Sequence, residues 1–203
     1  MKSYPLQMIL KIIFYLPCRL LFGVRYRGLR NIPKMGKLIV CSNHKSVFDP
    51  ILLALPFPRQ IRYMAKEELF RDHGRAAGWF LRVLGAFPVR RNSGDVASIR
   101  TAEHILDRGG VVGIFPQGGC VNENFLSRMK AGAALLAVRT KTPILPVSVY
   151  SEGRPFPFRR VTVRYGPVIP CDDPARPDGG RRNVRTSAAL VADRINAMLE
   201  EKF

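Results

Sequence analysis

Short, wholly apolar runs separated by helix-length amphipathic stretches limit what this 203-residue chain can fold into. Leu38–Ser42 (LIVCS) and Val111–Phe115 (VVGIF) are too short for buried helices and apolar on both faces. That is the pattern of a strand covered on two sides, the usual condition of a parallel sheet. Ile144–Tyr150 and Val161–Tyr165 read the same way, and Arg62–Ala65 and Ala86–Val89 as shorter strands. Between them lie predicted helices: one near Pro50–Leu55, one over 67–84 with Phe70, Trp79 and Leu84 as core contacts, and one over 95–108. The last carries Val96, Ile99, Ala102 and Leu106 on one face and stops at Gly109-Gly110. Lys130–Thr140 and Thr186–Phe203 complete the set. Alternation of this kind predicts an α/β fold, a mixed, largely parallel sheet covered by helices. There are no internal repeats, and the Pro/Gly/Arg stretch at 170–182 reads as a loop inside one domain.

Residues 3–24 are strongly apolar, but Lys11 and Arg19 interrupt them, so they fall short of the about 20 apolar residues a membrane-spanning helix needs. No small-residue cleavage site marks a secretory leader. Ser3, Gln7, Lys11, Tyr15 and Arg19 recur every four residues and form a narrow polar stripe on an otherwise apolar helix, which Pro17 should kink or end. Two readings fit. One is an interfacial helix with its apolar face in lipid and its basic stripe at the headgroups; the other is a helix packed on the protein core. On the first, residues 1–25 are a membrane-anchoring segment and 26–203 the α/β domain.

The chain carries 33 Lys and Arg against 15 Asp and Glu, a net +18, on an ordinary apolar fraction of 47%. It has enough apolar residues to fold, and the charge calls for an anionic partner. Cys18, Cys41, Cys120 and Cys171 lie far apart without a CxxC pair and read as reduced thiols rather than a zinc or redox site. No G-x-S-x-G elbow, phosphate-binding loop or dinucleotide turn is present.

Of three histidines, His73 and His104 fall in charged or solvated stretches. His44 follows the 38–42 strand directly, and sheets of this class place ligands at the carboxyl ends of their strands. Asp49, five residues on, can reach the imidazole across a turn, fix its tautomer and stabilise the imidazolium, leaving the other nitrogen to take a proton from a hydroxyl. Local capping is the competing explanation: Ser46-x-x-Asp49 has the form of a capping box and Asp49-Pro50 that of an N-cap followed by an N1 proline.

Five further stretches bear on the choice. Asn43-His44-Lys45-Ser46-Val47-Phe48-Asp49 resembles the N-H-x4-D motif of the glycerolipid acyltransferases, the family of bacterial 1-acyl-glycerol-3-phosphate acyltransferases. Gly85-Ala86-Phe87-Pro88-Val89-Arg90-Arg91 resembles the family's glycine-to-arginine motif, and Phe115-Pro116-Gln117-Gly118-Gly119-Cys120 its F-P-E-G-T-R motif. Lys130-Ala131-Gly132-Ala133 resembles the helix start that follows, Pro143-Ile144-Leu145-Pro146-Val147 the late P-I-x-P-V strand, and Leu29-Arg30-Asn31-Ile32-Pro33 a lead-in to the first strand. The blocks run in family order from about residue 26 to 166.

The resemblance implies an O-acyltransferase that makes phosphatidic acid for phospholipid synthesis. His44 would deprotonate the free hydroxyl of 1-acyl-sn-glycerol-3-phosphate, oriented by Asp49. That oxygen would attack an acyl thioester directly, without an acyl-enzyme, cofactor or metal. Arg91 would contact the acceptor phosphate, where a guanidinium bonds bidentately, unless Arg90-Arg91 is a solvated basic pair. Arg90, Gln117, Gly118, Lys130 and Asn43 complete the implied binding set. The donor would be a thioester of coenzyme A or acyl carrier protein, and the location the cytoplasmic face of the cell membrane, peripheral or monotopic, with no nucleic acid involved.

The third motif departs from the pattern: Gln117 stands for glutamate, Gly119 for threonine and Cys120 for arginine. Either Lys45, Arg90, Arg91, Arg128 and Lys130 hold the phosphate, or the acceptor differs. A non-enzymatic basic membrane-binding protein and a thioesterase using water as acceptor are the competing classes.

Overall fold

The computed structural model describes residues 13, 15–72, 74–90, 96–121, 125–126, 129–153, 159–171 and 183–201. Seven strands form one sheet: β1 (Arg25–Arg27), β2 (Leu38–Ser42), β3 (Ile61–Lys66), β4 (Phe87–Val89), β5 (Val111–Ile114), β6 (Ile144–Ser151) and β7 (Val161–Tyr165), in the order β1-β7-β6-β2-β5-β3-β4. From β6 to β4 every pairing is parallel; β7 runs antiparallel to β6, and β1 follows β7. The sheet is therefore mixed and largely parallel, as expected.

Among the described residues, and after the amino-terminal helical segment, the helices in chain order are α1 (Asp49–Ala54), α2 (Glu67–Arg71), α3 (Gly74–Val83), α4 (Val96–Asp107), α5 (Gly132–Thr140) and α6 (Val184–Glu200). The central strand β2 shows why the sheet has helices on both faces. All five of its residues are buried, and its side chains alternate between two cores. Leu38 and Val40 join Leu52 and Leu53 of α1, while Ile39 and Cys41 join Ala102 and Leu106 of α4, Ala133 and Leu136 of α5, and Val191 and Ile195 of α6.

Several expectations need correcting. The helix expected over 67–84 is two helices, and Trp79 is exposed rather than a core contact. Gly78 makes the contact instead: a Cβ there would lie 2.7 Å from the Phe70 carbonyl oxygen, so only glycine lets α3 come this close to α2, and Trp79, the next residue round, faces away. Val96 is exposed at the start of α4, while Ala102 and Leu106 are buried. β1, which has only three residues, went unread.

The amino-terminal segment also differs. Residues 15–21 are helical through Pro17, so proline does not end the helix; it removes only its own amide bond, and the last turn closes through Phe22 N–H to Cys18 O. Tyr15, assigned to the polar stripe, instead packs on the core and stacks on Tyr26, while Leu16 and Leu20 are exposed. Phe22 and Val24 are buried, and Phe22 lies against Phe48, so a boundary at residue 25 cuts through the core. Ser3, Gln7 and Lys11 lie outside the described residues, as do His73 and nearly all of the 170–182 loop.

Candidate active site

Because β2 and β5 run parallel with Cys41 opposite Ile114, the chain leaves both strands side by side. The segment after β2 carries His44, and the segment after β5 carries residues 115–121. They are tied to each other twice: His44 N–H donates to Gln117 Oε1 at 2.7 Å, and Val121 N–H donates to His44 O at 2.8 Å. The loop after β5 is thereby held against the histidine.

Asp49 opens α1 and is fully buried. Its Oδ2 accepts three hydrogen bonds, from His44 Nδ1 at 3.0 Å, Lys45 N–H at 2.6 Å and Ser46 N–H at 2.7 Å. One carboxylate thus both orients the imidazole and gathers the backbone amides of the loop before α1. The helix cap itself is Phe48, without a side-chain bond, because the Asp49 carboxylate reaches back to the loop instead of capping its own helix. With Nδ1 bonded to Asp49, Nε2 is the nitrogen turned away from the carboxylate.

His44 is packed as well as bonded. Its ring stacks on Phe115 at 4.1 Å between centroids, and Phe115 stacks in turn near Tyr63. Burial alone would lower the imidazole pKa. The hydrogen bond to Asp49, a contact of Nε2 with Cys120 Sγ at 3.4 Å, and the charge of Asp49 more than reverse this, raising it to about 9.

The other expected binding residues divide. Gly118 sits at φ 78°, a left-handed turn that favours glycine, and lies against the Lys130 ammonium; the Lys130 amide donates to Pro116 O. Both residues line an apolar cavity of about 230 Å³ together with Met64, Val89, Ile99, Ile114 and Leu136; Lys66 also lies on its wall. Gln117 is engaged with the His44 backbone, which makes it a brace for the histidine.

Asn43, expected in the binding set, is engaged within the fold. It is buried, and its side-chain amide clasps both the N–H and the C=O of Val149 in β6. Lys45 is not a surface cation: it is buried and donates to Ser151 O, and burial pushes its ammonium below the usual lysine range while Asp49 partly counters. Arg90, at the end of β4, pairs with Glu67. Three strand spacings, roughly 14 Å, separate β4 from β2. Arg91 and Arg128 lie outside the described residues.

Sequence reading missed what holds α1. Tyr63, Tyr26 and Tyr165 donate their hydroxyls to the carbonyls of Pro50, Leu52 and Leu53. These tyrosines come from β3, β1 and β7, and no local pattern links them to Asp49. Among the described residues no group of three His, Cys, Asp or Glu side chains is placed to hold a metal ion.

Residues 23–150, more than half of the chain and the stretch that carries His44, Asp49 and the loop after β5, match the acyltransferase family. The chain belongs to the acyltransferase family. Its relatives include the 1-acyl-sn-glycerol-3-phosphate acyltransferases of Bacillus subtilis, 35% identical over 62% of each chain, and Streptococcus pneumoniae, 33% identical over 62% of this chain and 47% of that one. The crystal structure of the 1-acyl-sn-glycerophosphate (LPA) acyltransferase PlsC from Thermotoga maritima superposes with a TM-score of 0.68 at 27% identity, covering 88% of this chain and 71% of that one. The chain spans only 62% and 47% of the length of those two bacterial relatives. Its mixed, largely parallel sheet with helices has the fold of that crystal structure.

Proposed function

We propose that this acyltransferase moves a fatty acyl group from an acyl thioester to the free hydroxyl of 1-acyl-sn-glycerol-3-phosphate, making phosphatidic acid for phospholipid synthesis. The observation that carries this reading is the Asp49–His44 pair, beside an apolar cavity with Lys66 and Lys130 in its wall. Nε2 of His44 takes the proton of the acceptor hydroxyl, and the oxygen attacks a thioester carbonyl. Asp49 holds the ring and stabilises the imidazolium that forms. The cavity suits an acyl chain, and Lys130 supplies a cation for phosphate where the family's motif arginine is missing. The relatives named for this reaction support the same assignment.

The donor is a thioester of coenzyme A or acyl carrier protein. The enzyme works on the cytoplasmic face of the cell membrane, held by its amino-terminal segment and its positive charge. The exposed Ile13, Leu16 and Leu20 support that attachment, and among the described residues no helix is long and apolar enough to cross a membrane.

The test is mass detection of phosphatidic acid from palmitoyl thioesters and 1-oleoyl-lysophosphatidic acid, with an uncharged monoacylglycerol in parallel. His44→Ala should lose about 10²–10⁴-fold in turnover, and Asp49→Asn less, since the imidazole remains. Near wild-type turnover in His44→Ala would sink the mechanism. Activity on the uncharged lipid alone would overturn the acceptor.

A further inference from the structure

The outward face of α3 is apolar, where a helix facing water carries its polar residues. Its inner side is fixed by Gly78, which meets α2, and by Leu81, which packs on the core with Phe70. At about 100° per residue the opposite side holds Ala76, Trp79, Phe80 and Val83. Trp79 is 60% exposed and Phe80 43%. The helix has no acidic residue; its charges are Arg75 and Arg82, both exposed and two turns apart along one flank of the apolar face. An apolar strip edged by guanidinium groups suits an anionic lipid surface.

Position favours a bilayer over a protein as the occupant. The amino-terminal helix packs through Tyr15 and Cys18 on the same core as Phe70 and Leu81, so it and α3 cover one face of the sheet. They lie towards its opposite edges: Tyr15 stacks on Tyr26 of β1, whereas Leu81 O accepts from Ala86 N–H just before β4. Each turns large apolar side chains outward, Leu16 and Leu20 on one and Trp79 and Phe80 on the other. Midway along the sheet, the loop after β2 exposes Val47, three residues from His44. In the opposite layer, α4 to α6, only Val96 and Leu135 among the described large apolar residues are exposed. A docked protein would cover one such patch; a bilayer is broad enough to meet all three.

We infer that α3 is a second membrane contact, with Trp79 and Phe80 in the apolar boundary of an anionic bilayer and Arg75 and Arg82 at lipid phosphates. This goes beyond the attachment proposed above, which uses the amino-terminal segment and the net charge. Tryptophan suits the position because its ring is apolar and its N–H polar, the combination favoured at a headgroup boundary. Two contacts on one rigid body hold it more tightly than either alone. Because they sit towards opposite edges of the sheet, they also fix its orientation and turn the loop of Val47 and His44 towards the lipid.

Trp79 is the chain's one tryptophan, so its fluorescence reads this contact directly in the unaltered full chain. Vesicles of equal parts phosphatidylglycerol and phosphatidylcholine should move its emission to shorter wavelength, and lipids brominated on the acyl chain should quench it. Trp79→Ser combined with Phe80→Ser should lose at least about tenfold in vesicle affinity by flotation, the effect of removing two buried apolar side chains. Its thermal unfolding should stay unchanged, since neither side chain is in the core. Vesicles that float the chain but leave Trp79 emission unshifted and unquenched would overturn the inference and leave the amino-terminal attachment standing. A shift that needs no lipid and grows with protein concentration would overturn it in favour of a second copy. A shift given by an acidic acyl carrier protein but not by vesicles would overturn it in favour of a protein partner. Acyl transfer in detergent micelles tests the proposed reaction separately: inactivity there, with Trp79 shifted and quenched on vesicles, would uphold the contact and overturn the reaction.

Discussion

At the scale of single residues the decisive quantity is the protonation of His44. With its pKa raised to about 9, the resting imidazole is largely protonated at neutral pH, whereas a general base must be neutral. Acyl transfer should therefore rise with pH through a midpoint near 9 and level off above it. Asp49→Asn keeps an oxygen acceptor but removes the charge, while burial, which pulls the pKa down, remains. The midpoint of the pH–rate profile should then move to lower pH, alongside the reduced turnover. An unchanged midpoint would mean that Asp49 does not set the imidazole's basicity. The same shift has a stability consequence of defined sign. Because the folded pKa lies above the ordinary value of 6.5, the protonated His44 favours the fold fully below pH 6.5, and this contribution is lost as pH rises through about 9.

At the scale of elements, α1 is the part to test. Six residues cannot hold a helix alone, so its position depends on the tyrosine hydroxyls and on Leu52 and Leu53 in the core. Tyr165→Phe should destabilise the protein by about 1–2 kcal/mol, the cost of a lost buried hydrogen bond. Since α1 carries Asp49, turnover should fall further than the change in folded population explains; urea denaturation and steady-state rates on one sample would separate the two. Asn43→Ala acts on the neighbouring element. It strands the N–H and C=O of Val149, both buried, and should cost about 2–4 kcal/mol in urea denaturation. A cost near zero would show that the clasp between the histidine loop and β6 is dispensable.

At the scale of the whole molecule, the question is where membrane attachment ends and the folded domain begins. The expected boundary at residue 25 assigns Phe22 and Val24 to the anchor, yet both lie in the core, and Phe22 O accepts from Val161 N–H beside β7. Two deletions should behave differently. Removing residues 1–12 should weaken binding to anionic liposomes, more so at higher salt where a Debye length of about 8 Å screens the +18 charge, without changing thermal stability. Removing residues 1–24 should also destabilise the fold by about 3–5 kcal/mol, as losing a buried aromatic does. Liposome flotation and thermal unfolding of both deletions check this, and full liposome binding by the shorter deletion would dismiss residues 1–12 as the anchor.

The sequence by itself determined six of the seven strands of the sheet, all but the short β1, and the histidine–aspartate pair, because these are written in local spacing. A continuous apolar run such as Leu38–Ser42 has only one economical use, in a sheet with helices on both faces, and Asp49 lies within reach of His44 by five residues of chain. The apolar content of residues 67–84 was legible too, but not which side chain met the core; Gly78 decided that by allowing a close approach that displaced Trp79 outward. Only the tertiary structure decided that Asn43 is a clasp, that Lys45 is buried, that tyrosines from three strands hold α1, and that Cys120 faces the free nitrogen of His44. Those contacts join residues as many as 112 positions apart. Periodicity describes which face a side chain occupies on its own element; which distant group it meets there depends on strand order and register, and these arise only when the whole sheet closes around its core.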